Sequence, residues 1–319
     1  MNELDLFRDF RRGVAPPSSH AKGRASARLA GAVAGARVAS TDRRRLRGSL
    51  AHAGGRRRRL VLLAAAALVA LVGTASAFST VRDLILDREA QSVDYCIGSA
   101  LRPKVISFRS TDGVRLHGLL LGSGQNAIVL GAGNSFRDNL CDWLPFAQTL
   151  AQRGYRVLAF DARPLNLPRD RRKGLRVLKA THFERDVVGA ERELVRRGVR
   201  RVLVGGASLG GTAAMTAAAR IPRPVLAGVV VLSALRKFGV MNAAAAARRV
   251  TAPAFFGVGS LDSLLVGEVR KLYAASASKR KELVVVRSSG LGTQLLDRSW
   301  APASFRTKLL TFIAASLKS

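Results

Sequence analysis

From residue 104 onward, short apolar runs of strand length alternate with longer amphipathic runs of helical period. Lys104–Arg109 and Leu116–Leu121 flank the turn signal Thr111-Asp112-Gly113, which predicts an antiparallel hairpin. Ala127–Leu130 then reads as a strand, Cys141–Gln152 as a helix closed by Gly154, and Val157–Phe160 as a strand. The second half repeats the order: a helix over Phe183–Arg197 closed by Gly198, strand Arg201–Val204, helix Leu209–Arg220 and strand Ala227–Leu232. Strand Ala254–Val258, helix Leu264–Ala275, strand Glu282–Val286 and a terminal helix Ser304–Lys318 complete it. Eight strands interleaved with helices predict an α/β fold, a mostly parallel eight-stranded sheet with helices on both faces and its first two strands as an antiparallel edge. About twenty residues separate Ser233 from Ala254, too few for a large lid.

Upstream the pattern changes. Residues 60–78 read LVLLAAAALVALVGTASAF, nineteen residues without a charge, directly after Arg56–Arg59. As a helix this run is roughly 28 Å long, close to the hydrocarbon thickness of a bilayer, which predicts a transmembrane anchor. Ala75-Ser76-Ala77 also forms a small-residue cleavage pattern, so secretion after cleavage following Ala77 is the alternative. Either way the positive-inside rule places residues 1–59 in the cytoplasm and the rest outside. The expected organisation is a basic, largely disordered cytoplasmic tail (1–59), the anchor (60–78), a juxtamembrane connector (79–103) and one folded domain (104–319).

Composition refines this picture. A hydrophobic content of 48% suffices for a full core and excludes disorder over most of the length. The net charge is +32, of which residues 1–59 hold +11, from fifteen basic and four acidic side chains. Such a balance invites polyanions. However, no zinc-ligand spacing or nucleic-acid motif accompanies it, and aromatic residues are only 6%, which argues against nucleic acid. Anionic lipids or envelope polymers remain as partners, with Arg169, Arg171, Arg172, Lys173, Arg176 and Lys179 crowding one loop before the Phe183 helix. Two cysteines in an exported domain permit a Cys96–Cys141 disulfide, the alternative being two buried thiols.

The chemistry centres on Gly206-Ala207-Ser208-Leu209-Gly210-Gly211, which follows the strand ending at Val204 and opens the helix at Leu209. A serine on a sharp strand-to-helix turn needs flanking glycines because side chains would collide there. With this motif after the fifth of eight strands, and with Gly154-Tyr155-Arg156-Val157-Leu158-Ala159-Phe160-Asp161 after the first helix, the chain resembles the α/β-hydrolase family over residues 104–318. The resemblance implies Ser208 as nucleophile and the Leu209 N–H as an oxyanion donor. The second donor would come from Ala132 or Gly133, in the loop Gly131-Ala132-Gly133-Asn134-Ser135. It implies Asp262 as acid, in the G-x-x-D pattern Gly259-Ser260-Leu261-Asp262; Asp161 and Asp297 fall in other loops.

One member is absent from this pattern. The loop after the last strand reads Ser288-Ser289-Gly290-Leu291-Gly292, with Leu291 where the family carries its histidine. The chain's histidines are His20, His52, His117 and His182. The first two precede the apolar run, His117 lies on an early strand, and His182 precedes a helix. Without a base the serine hydroxyl stays protonated. Three readings stay open: a weak esterase-like serine hydrolase acting on small-molecule or lipid-like esters, a catalytically dead pseudohydrolase that binds a ligand, and an envelope-interaction scaffold. No cofactor or metal is called for by any motif.

Overall fold

A computed structural model describes residues 96–131, 139–165 and 171–318. The basic tail 1–59, the apolar run 60–78 and residues 79–95 of the connector lie outside these residues. Among the described residues no helix is long and apolar enough to cross a membrane.

The strands are β1 (Val105–Arg109), β2 (Arg115–Leu121), β3 (Asn126–Gly131), β4 (Arg156–Phe160), β5 (Arg201–Ala207), β6 (Leu226–Leu232), β7 (Ala254–Gly259) and β8 (Lys281–Val286). They form one sheet in the order β1-β2-β4-β3-β5-β6-β7-β8. β2 runs antiparallel to both β1 and β4, and all other pairs are parallel. The sheet is therefore the eight-stranded, mostly parallel α/β-hydrolase arrangement expected from the pattern.

The continuous apolar strands are explained by burial on both faces. Because side chains alternate, Val129, Val204, Val231 and Phe256 enter one core, while Leu130, Leu203, Val230 and Phe255 enter the other. The first core is closed by α3 (Glu184–Arg196), α4 (Leu209–Ala218), α5 (Ala243–Ala247) and α6 (Ser263–Ala275). The second is closed by α1 (Leu140–Gln152) and α7 (Ala303–Lys318). Asn139 caps α1, its side chain accepting from Cys141 N at 2.8 Å while Asp142 accepts from Asn139 N at 3.0 Å.

Three features add to the sequence reading. The basic stretch expected as a loop is largely a helix, α2 (Arg171–Ala180), whose Leu178 packs on the first core. The short α5 occupies part of the segment between Ser233 and Ala254. Cys96 and Cys141 are joined as a disulfide, 45 residues apart, tying the segment before β1 to the first turn of α1. Closing a loop of that length stabilises by about 4 kcal/mol in the chain-entropy picture.

A partly buried ion network fixes the carboxyl edge of the sheet. The Arg163 guanidinium donates to both Asp112 oxygens at 2.8 Å and to Asp186 Oδ1 at 2.6 Å, joining the β1–β2 turn, the end of β4 and the start of α3. Arg185 adds a second, more exposed cation, its Nη1 3.3 Å from Asp112 Oδ2. Arg163 holds Asp112 well below the usual carboxylate range. Asp186, 1% exposed, is pushed up to about 6 by burial, against the hydrogen bonds from Arg163.

Candidate functional site

The chain passes from β3 to β4 on one side of the sheet and then to β5 on the other. The resulting switch point opens a crevice at the carboxyl ends of β3 and β5, where Gly131 lies level with Gly206. Ser208 stands there, at the amino end of α4, with φ 51° and ψ −120°. Only Ser208 and Ser233 among the described non-glycine residues have positive φ. A side chain at 206 would put a Cβ 2.1 Å from Gly210 O, so the elbow closes only around glycine. Strain of this kind costs about 1–3 kcal/mol, and the packed turn between β5 and α4 holds it in place.

A backbone ladder then carries the edge across to the last strand. Ser208 N donates to Leu232 O at 2.8 Å, Ser233 N to Gly257 O at 2.8 Å, Ser260 N to Val286 O at 2.7 Å and Leu261 N to Ser288 O at 3.1 Å. Ser208, Asp262 and the loop 288–291 therefore lie along one edge of the sheet. Gly259 lets the last two loops pass, since a Cβ there would lie 2.5 Å from Ser288 O.

Asp262 is the amino-terminal cap of α6, with Oδ1 accepting from Leu265 N at 2.8 Å. Leu291 precedes a 3-10 turn, Gly292–Leu296, and its N–H donates to Gln294 Oε1 at 3.0 Å. Gly290 N donates to Ser288 Oγ at 2.8 Å, which fixes the same loop. The other aspartates are occupied by local duties: Asp161 accepts from Leu140 N at 2.8 Å, and Asp297 accepts from Ser299 N at 2.8 Å. The Leu209 N–H lies in the first turn of α4, where helix N–H groups and dipole favour negative charge. Ala132 and Gly133 lie outside the described residues.

Both described histidines are engaged elsewhere. His117, on β2, has Nδ1 3.3 Å from Ser107 Oγ at the antiparallel edge. His182 Nδ1 lies 2.9 Å from Glu184 Oε1, and the same oxygen is 3.0 Å from Arg220 Nη2. His182 stands just before α3, and its Nδ1 is engaged by Glu184 rather than by Ser208.

One site residue had no sequence signal. Ser233 ends β6 beside the elbow with φ 48°, is fully buried, and its hydroxyl has no hydrogen-bond partner among the described residues. Left-handed backbone at a non-glycine position cannot be read from composition or period. Among the described residues no group of His, Cys, Asp and Glu is arranged to hold a metal ion.

The comparisons with known proteins agree with this fold. A model of the alpha/beta hydrolase family matches residues 116–314. The fold is similar to an esterase of Pyrococcus furiosus, Pf2001, at 19% identity and TM-score 0.53, covering 67% of this chain and 91% of that one. It is similar to the alpha/beta hydrolase GrgF of Penicillium sp. sh18 at 14% identity and TM-score 0.52, covering 67% and 99%. An enol-lactonase of Burkholderia xenovorans LB400 matches at 14% identity and TM-score 0.50, covering 65% and 99%. No curated protein sequence matches.

Proposed function

Because this chain belongs to the alpha/beta hydrolase family, we propose that it is a membrane-tethered, extracytoplasmic member that recognises a small ester-type or acyl ligand without turning it over at triad rates. The observation that carries this reading is the engagement of both described histidines: His117 Nδ1 meets Ser107 Oγ, His182 Nδ1 meets Glu184 Oε1, and Leu291 stands in the loop after β8. Loss of the histidine in a triad enzyme lowers kcat by about 10⁶. Oxyanion stabilisation and binding survive such a loss and leave about 10³ to 10⁴ over water. The esterase and lactonase names of the structural neighbours support acyl compounds as the ligand class.

The uncharged run 60–78 supports the tether, and the Cys96–Cys141 disulfide supports an oxidising compartment outside the cytoplasm. A second reading, slow serine hydrolysis, draws on the strained Ser208 backbone, since strain of this kind gathers at working nucleophiles. The test is fluorophosphonate labelling of the full chain beside Ser208→Ala, together with calorimetric titration of short-chain esters and lactones. Binding without labelling at Ser208 supports the first reading. Ser208-dependent labelling overturns it in favour of the second.

A further inference from the structure

The edge of the sheet opposite Ser208 carries an unusual charge. Here the helices end and the parallel strands begin, and four of the five helix-to-strand turns carry two Arg or Lys, the fifth carrying Arg153. Arg153 precedes β4, Arg200 β5, Arg223 β6, Arg248 and Arg249 β7, and Lys279 β8; all six side chains are exposed. None of the six is in an ion pair among the described residues. Near this edge the acidic side chains are Glu193, already held between Arg196 and Arg197, and Glu282 at the start of β8.

A cation at a helix carboxyl terminus is favoured by the helix dipole, which accounts for one per turn. It does not account for two in four of them, nor for where the aspartates are. Asp112, Asp142, Asp161, Asp186, Asp262 and Asp297, all the described aspartates, lie at the carboxyl edge, in strand-to-helix loops, the β1–β2 turn or the first turns of α1 and α3. Six strands from β4 to β8, about 4.8 Å apart, spread the basic row over roughly 24 Å. A row of that length meets a plane of anions better than a single phosphate.

We infer that the amino edge of the sheet is a docking surface for an anionic phospholipid bilayer, so that the Ser208 edge faces away from the membrane. The inference rests on the reading of 60–78 as the tether. The seventeen residues 79–95 between that run and Cys96 can span at most about 60 Å, which limits how far the domain can sit from the bilayer. Each basic side chain near an anionic surface shifts the docked-to-free ratio about fivefold. With this edge down, the ligand reaching Ser208 is a dissolved molecule from the far side rather than a lipid of the same leaflet.

The carboxyl edge offers the competing orientation. There α2 carries Arg172, Lys173 and Arg176, and Val240 and Leu261 are exposed at 47% and 63%. Lysine acylation mapped by mass spectrometry separates the two, with the full chain in nanodiscs of phosphatidylglycerol or of phosphatidylcholine. We expect Lys279 to be protected in phosphatidylglycerol only, with protection lost in high salt, while Lys237 at the carboxyl edge labels equally in both. Replacing Arg223, Arg248, Arg249 and Lys279 with Gln should lower the docked ratio several hundredfold, read as labelling of the exposed Lys318 at the same edge, whereas Arg→Lys replacements should keep the protection. Protection of Lys173 and Lys237 instead, protection that ignores lipid charge, or displacement of the domain by a DNA duplex overturns the inference. If alkaline carbonate extracts the chain from membranes, the tether reading fails separately, and sedimentation of the native and Gln-substituted chains with phosphatidylglycerol vesicles then decides the surface alone.

Discussion

Replacing Leu291 with His should create a serine esterase. The substitution changes a side chain only, because the hydrogen bonds fixing that loop use the Leu291 N–H, the Gly290 N–H and the Ser288 hydroxyl. Asp262 engages Leu265 N through Oδ1, which leaves Oδ2 for an imidazole Nδ1–H. A complete triad histidine contributes about 10⁶ in kcat. A displacement of about 1 Å in an unselected geometry forfeits about 10² of it. The expected gain is therefore on the order of 10⁴, or about 5.5 kcal/mol of transition-state stabilisation. Hydrolysis of p-nitrophenyl acetate and the rate of fluorophosphonate labelling both measure it, and Ser208→Ala in the same background should abolish the gain. A Leu291→His protein with native melting behaviour but no faster hydrolysis would refute the placement of Ser208, Asp262 and residue 291 in one site.

Other outcomes follow from the packing. Ser208→Gly should be more stable than Ser208→Ala by about 1–3 kcal/mol, the reverse of the usual order, because φ 51° suits glycine and still strains alanine; urea melts of the two variants decide it. Reduction, or Cys96→Ser, should cost about 4 kcal/mol in the same melts, and a loss below 1 kcal/mol would show that the 45-residue loop is not entropically restrained. The raised Asp186 carboxyl binds its proton more tightly in the folded chain than in the unfolded one, so its contribution to stability falls as pH rises from about 4 to 6 and is flat above. Two pH units correspond to about 3 kcal/mol, so the native chain should melt higher at pH 5 than at pH 7 and Asp186→Asn should flatten that slope; an unchanged slope would place the proton elsewhere. Asp112 acts in the opposite sense, its stabilisation being lost only as pH falls below the ordinary carboxylate range.

How far the sequence led differs between the sheet and its edges. β5, β6 and β7 were legible because strands buried on both faces leave long apolar runs such as Val229-Val230-Val231-Leu232. Ser208 was legible because its turn demands glycine on both sides. α2 was not, since Gly174 interrupts it and five of its ten residues are basic, a pattern shared with solvated loops. The Arg163 network was hidden for another reason: its partners lie 51 and 23 residues away, and a hairpin aspartate looks like any turn residue until the sheet brings it back. Ser233 illustrates the same limit, because its backbone conformation is imposed by packing between β6 and its neighbours rather than by its own preference.

The covalent link between Cys96 and Cys141 also sets the load path of the domain. Tension applied to the chain upstream of Cys96 would otherwise arrive at β1, an edge strand held by one neighbour, and could peel it away one hydrogen bond at a time. The bridge diverts that tension into α1, whose Leu140, Trp143, Phe146 and Leu150 are seated in the second core. A domain built in this way, pulled from upstream of Cys96, resists through its interior and spares the hairpin at its edge.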